Sequence, residues 1–425
     1  MSRRRSRRSF VVTAGLAAIA GVHLSPAIAA TYFVSAEQGS DQGDGLSQAT
    51  AFRHFAQIAG RLAPGDQLII EPGRYDEPLH VTRSGTATAA IHIRGADGPL
   101  PLLRSDGDAV SISADYIQLS RVDAASSGAL GSAIVIQTGH HHVTIADTVA
   151  HDSGCGGIAA LQTDHLEIRH NRVFGNGKRS PWQCSGISIY QAANSDDAPG
   201  FHNVISGNLV YDNRNDVPDP KLPPALAGHT TDGNGIILDD FRHDQVWQGR
   251  KTGPYRSASL IENNVTLNNG GRGLEIFHSD DVTMINNTSF GNLRDAHMVD
   301  ATYGEIYAAF ADRIALFNNL IEVRTGKAYA IMVAHVKGMA ADYNMMVGGK
   351  PPGLGRDAAD IAWGSHNFVA RTAGFANDQS GDLHLTAGSE ALKRASPAHA
   401  PANDLDGKRR PTGGPIDVGA YQYSH

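Results

Sequence analysis

Short runs of alternating apolar and polar residues recur along the chain, and each closes on Asn or Asp. HVTIAD ends at Asp147, LEIRHN at Asn171, NVISGN at Asn208, SLIENN at Asn264, VTMINN at Asn287 and IALFNN at Asn319. Alternation with period two predicts β-strands. Subtracting successive end positions gives steps of 24, 37, 56, 23 and 32 residues. The shortest steps read as one full turn of a solenoid, and the longer ones as the same turn carrying inserted loops. A second polar position follows five residues later, at Asn176, Asn213, Asn269 and Asn292. No helical period of comparable strength runs through residues 100–350. A sandwich of antiparallel hairpins would instead place two-residue turns between strands at closer intervals.

Asn suits such a column twice over. It tolerates the left-handed backbone of a tight turn, and its amide can hydrogen-bond from one coil to the next. A second strand in each coil begins with glycine: GIAAL at Gly157, GISIY at Gly186, GIILDD at Gly235 and GLEIFH at Gly273. With those glycines as one column, Ile158 and Ala160, Ile187 and Ile189, Ile236 and Leu238, and Leu274 and Ile276 point inward. Ala159 and Leu161, Ser188 and Tyr190, Ile237 and Asp239, and Glu275 and Phe277 then point outward. Cys155 and Cys184 each precede their glycine by two residues. They fall on neighbouring coils about 4.8 Å apart, either as a disulfide or as two buried thiols.

Both ends fit a solenoid that needs capping. Phe52, Phe55, Ile58, Ala59 and Leu62 recur at helical spacing and predict an N-terminal capping helix with one apolar stripe. From about residue 350 the repeat fades and Pro and Gly rise. This predicts a β-helix over 30–350 and a C-terminal extension over 351–425 packed on it. The segment YFVSAEQGSDQGDGLSQATAFRHFAQIAGRLAPGDQLIIEPGRYDE (32–77) resembles the opening of right-handed parallel β-helix proteins of the pectate-lyase-like superfamily, and IDVGAYQ (416–422) their ending. The resemblance implies an all-β, single-stranded right-handed parallel β-helix and a carbohydrate-active enzyme. It leaves the reaction open, since fold does not fix function.

Composition places the protein in its surroundings. The 425 residues carry 36 Lys and Arg against 43 Asp and Glu, with two cysteines. Residues 1–29 hold Arg3, Arg4, Arg5, Arg7 and Arg8, then the apolar run Val12–Val22 and Ala27-Ile28-Ala29. They resemble a twin-arginine signal peptide, with a run too short to span a membrane. Removing them leaves 31 basic and 43 acidic residues, a formal charge of about -12. Such a surface excludes nucleic acid as a partner. The expectation is an exported protein, periplasmic or extracellular, acting as a monomer without a membrane span.

Polar chemistry gathers on the later coils. Asp239, Arg272, Glu275 and His278 are candidate catalytic groups. Arg242, Arg250, Lys251 and the aromatics Trp247 and Tyr255, in the insertion at 241–257, suit an acidic sugar chain, and Tyr190 and Glu305 join them as substrate-binding candidates. Asp232, Asp239 and Asp240 could hold Ca²⁺. The leading expectation is β-elimination on an acidic, uronate-containing polysaccharide, which needs the carboxylate neutralised, by Ca²⁺, Arg272 or His278, and a base for the adjacent proton, Arg272 or His278. In related lyases the base is commonly Lys or Arg beside calcium-binding aspartates. Where one such lyase family carries Lys two residues after the strand glycine, this chain has Ile237 and Glu275. A glycoside hydrolase would pair Asp239 with Glu275 or Glu305, and a non-catalytic polysaccharide-binding solenoid would use neither. His140, His141 and His142 cannot converge on one ion from a strand and are expected as solvated imidazoles.

Overall fold

The computed structural model describes residues 29–245, 253–298, 304–326, 328–355 and 357–423. Parallel strands stack coil upon coil into a right-handed β-helix, as the alternation requires. A full coil contributes three strands. In one coil they are Ile158–Leu161, Asp164–Arg169 and Arg172–Phe174; in the next, Ile187–Tyr190, Phe201–Ser206 and Leu209–Tyr211. The first two columns belong to a 20-stranded sheet and the third to an 11-stranded sheet. Ile158 pairs with Ile187, Ile187 with Ile236 and Ile236 with Leu274, so the expected register holds. The inward Ile, Leu and Ala of these strands are completely buried.

Two asparagine ladders hold the coils. Asn171, Asn208, Asn264, Asn287, Asn319, Asn344 and Asn367 form the first. Each Nδ2 donates to the next Oδ1 at 2.9–3.0 Å and also to a backbone carbonyl of the preceding coil. Asn176, Asn213, Asn269 and Asn292 form the second in the same way. The glycine column follows from the second ladder. A Cβ on Gly186 would lie 2.7 Å from Asn213 Nδ2, and one on Gly273 2.8 Å from Asn292 Nδ2.

Three details differ from the sequence reading. Asp147 is not in the first ladder: it aligns with His170, and Thr148 occupies the rung, its hydroxyl donating to Asn171 at 2.8 Å. In the first ladder the left-handed backbone belongs to the residue before each rung from Asn171 to Asn344, among them Asn263, Asn286 and Asn318, so hydrogen bonding and turning are divided between neighbours. The apolar stripe Phe52, Phe55, Ile58 and Leu62 is buried, but its element is a single 3-10 turn, Phe55–Gln57, instead of a capping α-helix. Gly60 interrupts the stripe and His54 supplies no side-chain cap, so the short segment does not propagate.

Parallel pairing runs past the fading of the repeat, to Phe368–Ala370 against Met345–Val347. Beyond it, Leu385, Ala391, Ile416 and Val418 pack on Leu320 and Met345, and Leu383 and Tyr421 on Val265 and Phe290. Cys155 and Cys184 form a disulfide between neighbouring coils, Cα atoms 5.2 Å apart. His141 and His142 are half-buried instead of solvated. His142 stacks between Tyr116, at 4.5 Å, and His165, at 4.1 Å.

Candidate active site

The outward side of the first column carries the polar cluster. Register stacks Ser188, Ile237, Glu275 and Tyr307 in one row, and Tyr190, Asp239, Phe277 and Ala309 in the next. Asp239 and Glu275 are therefore one coil and two residues apart, roughly 8 Å between Cα atoms. Arg272 enters from the turn before Gly273, where its amide donates to Asn234 Oδ1 at 2.8 Å. Its guanidinium contacts Glu275 Oε1 at 3.2 Å and Oε2 at 3.3 Å, and lies 4.3 Å over the Tyr307 ring. Both members of this ion pair are buried. A pair so desolvated is held by geometry as much as by charge.

Asp232 and Asp239 complete the cluster. Asp232 accepts from Thr231 Oγ1 and Asn234 Nδ2, both at 3.0 Å. Burial raises its pKa above the ordinary carboxylate value, with Arg272 opposing. Asp239 accepts from Gln245 Nε2 at 2.6 Å. Burial, then the charges of Asp232 and Glu275, push its carboxyl well above the usual range. Asp239 thus holds its proton at higher pH than a solvated carboxyl does. Tyr190, beside Asp239, has its hydroxyl raised by burial and by Asp239 and Asp240.

Other predicted residues lie elsewhere. Asp240 follows Asp239 and turns away from the face. Completely buried in a left-handed turn, it accepts from the amides of Asp244 and Gln245 and from Gln191 Nε2. Asp232, Asp239 and Asp240 therefore do not converge on one ion, and both oxygens of Asp240 are already engaged. His278 sits past the strand end, bonded to Asp244 at 2.5 Å and stacked 4.5 Å from Phe310. Arg242 pairs with Asp280 at 2.7 Å and Asp312 at 2.9 Å. Tyr255 is buried in the core, donating to Asp164 at 2.6 Å, and does not line a groove. Arg250, Lys251 and Trp247 lie outside the described residues.

Glu305 is in the interior. It occupies the slot that glycine fills one coil earlier and accepts from Asn292 Nδ2 and Ser289 Oγ, both at 2.8 Å. It closes the second asparagine ladder, because Arg324 stands where the next Asn would be. A completely buried group cannot meet a substrate, so its assignment to substrate binding is withdrawn. The sequence reading missed Tyr307 and Gln245. Placing Glu305 in the glycine column would have made Tyr307 outward-facing beside Arg272.

Among the described residues, two side-chain groups bring metal-type ligand atoms within 4.8 Å of one another: Asp164, His165, Asp196 and His202, and Asp240, Asp244 and His278. Neither is the all-oxygen set that calcium prefers. In the first, Asp164 already accepts from Tyr255, His202 and Ser195, and both ring nitrogens of His202 are engaged, with Asp164 at 3.0 Å and the Ala198 carbonyl at 2.7 Å.

The chain matches no family model and no curated relative. Among solved structures, pectate lyase Pel9A is similar with a TM-score of 0.54 at 15% identity, over 93% of this chain and 96% of its own. The chain has the fold of pectate lyase Pel9A. That fold also carries XylC, solved with xylose, at a TM-score of 0.53, 10% identity and 93% and 98% coverage. A glycoside hydrolase matches at 0.52 and 8% identity, over 79% of this chain and 96% of its own.

Proposed function

We propose that the protein is a carbohydrate-active enzyme that hydrolyses a glycosidic bond, using Asp239 as general acid and Glu275 as its opposing carboxylate. The observation that carries this reading is the contrast between two carboxyls on adjacent coils. Asp239 is pushed well above the usual range by burial and neighbouring acids, whereas Glu275 faces the Arg272 guanidinium at 3.2 Å. Two carboxyls in unlike environments divide acid and base roles between them. Asp239 protonates the leaving oxygen. As the C–O bond breaks, Glu275 stabilises the oxocarbenium-like transition state and takes the proton of a water whose oxygen bonds to the anomeric carbon, and Arg272 orients Glu275.

Elimination is less well supported by these residues. An arginine fixed against Glu275 and Tyr307 is a poor base, and His278 is engaged with Asp244. The face holds three carboxylates and one guanidinium already paired, which favours a neutral chain over a uronate polymer. The disulfide suits an oxidising compartment, in keeping with export.

The test follows turnover of neutral oligosaccharides and of pectate and alginate, with and without chelator, by reducing ends and ultraviolet absorbance. New ends without absorbance, unaffected by chelator, are expected. Asp239→Asn and Glu275→Gln should each lower kcat about 10²- to 10⁴-fold with circular dichroism unchanged. Absorbance rising with the new ends, or full turnover in both variants, would overturn the assignment.

A further inference from the structure

Trp182 is more than half exposed, although burying such a ring would contribute several kcal/mol. Its backbone is held on every side. The Trp182 amide donates to Ser180 Oγ at 3.1 Å, and Ser180 is itself buried. Pro181 precedes the ring, and Gln183 follows in the left-handed conformation. Cys184 N donates to Asn215 Oδ1 at 3.2 Å, and its sulfur is bonded to Cys155.

The same clamp ties Trp182 to the candidate site. Gln183 Oε1 accepts from the amide of Thr231 at 2.8 Å, the residue before Asp232. Gln183 Nε2 donates to Val217 O at 3.0 Å, anchoring the base of the 214–231 loop. From that loop Lys221 places its ammonium 4.8 Å from the Trp182 ring centre. The ammonium lies over one face of the ring, and the exposure that remains leaves ring surface for the C–H face of a pyranose, with Lys221 as a donor to its hydroxyl rim.

We propose that Trp182 is the platform of a sugar-binding subsite, one coil from Asp232, that stacks a pyranose unit of a neutral chain remote from the bond cleaved. This rests on the function proposed above and assigns that site a preference for chains over single sugars. The disulfide and Gln183 pre-organise the platform, so little ordering is needed on binding.

Binding and turnover are tested separately. Affinities of xylo-, cello- and manno-oligosaccharides of one to six units are measured by calorimetry for Asp239→Asn and for Asp239→Asn with Trp182→Ala or Trp182→Phe. Quenching of tryptophan emission is followed in parallel. Expected is chain binding weakened about tenfold by Trp182→Ala, largely restored by Trp182→Phe, with single sugars unaffected. In the otherwise intact protein, Trp182→Ala should raise KM for long substrates about tenfold and leave kcat unchanged. Equal affinities with and without Trp182, or no binding of any chain in the series, would overturn the subsite. If Trp182→Ala weakens binding while Asp239→Asn still turns over, the subsite stands and the catalytic assignment fails.

Discussion

Glu305 sits where the chain has run out of asparagines. Its carboxyl ends the ladder in a completely buried position, and burial raises its pKa from 4.5 to about 7. Because the folded value is the higher one, the unfolded chain loses this proton first. Its contribution is therefore most favourable below pH 4.5 and is lost as pH rises towards 7. Glu305→Gln, which keeps an acceptor for Asn292 but has no proton to lose, should match the parent in chemical denaturation near pH 4. It should exceed the parent at pH 8 by up to about 3 kcal/mol. A constant difference across that range would argue against the buried proton. Among single residues, sequence reasoning succeeded where alternation decided the direction, as with Asp239 and Glu275. It failed at Asp240, where the strand's alternation ends and the next carboxylate turns inward.

Elements owe their stability to repetition, because each rung accepts from the coil before it and donates onward. Asn264→Ala would leave the Asn208 amide and Nδ2 without their acceptor at 2.9 Å and the Ile205 carbonyl without its donor. A loss of about 3 kcal/mol is expected in denaturant titration. The same change at the half-exposed end rung Asn367 should cost clearly less. The ladder was legible in the spacing of Asn171 to Asn319, and its glycine partner in GIAAL, GISIY, GIILDD and GLEIFH. The capping helix was over-read from the apolar stripe of Phe52 to Leu62, since spacing alone does not distinguish one 3-10 turn from two turns of α-helix. The salt bridges that occupy Arg242 were hidden for another reason: Asp280 and Asp312 lie 38 and 70 residues onward and meet it only once the coils stack.

At the scale of the whole molecule, each coil touches chiefly its neighbours, so the stack behaves as a one-dimensional array. That is why the architecture could be read from periods while the site could not. The period fixes which residues share a face, but the insertions at 177–183 and 214–231 decide what that face meets. Only Cys155–Cys184 links two coils covalently, and this gives the molecule a mechanical stop. Pulled from its ends, the solenoid should peel coil by coil, yet the 29-residue span between the two sulfurs cannot lengthen. Single-molecule traces in an optical trap should therefore fall roughly 100 Å short of the full contour length and gain that length on adding reductant. A trace unchanged by reductant would mean that the link had never formed. With it in place, the coil carrying Trp182 stays joined to the one before it after the outer coils have unravelled.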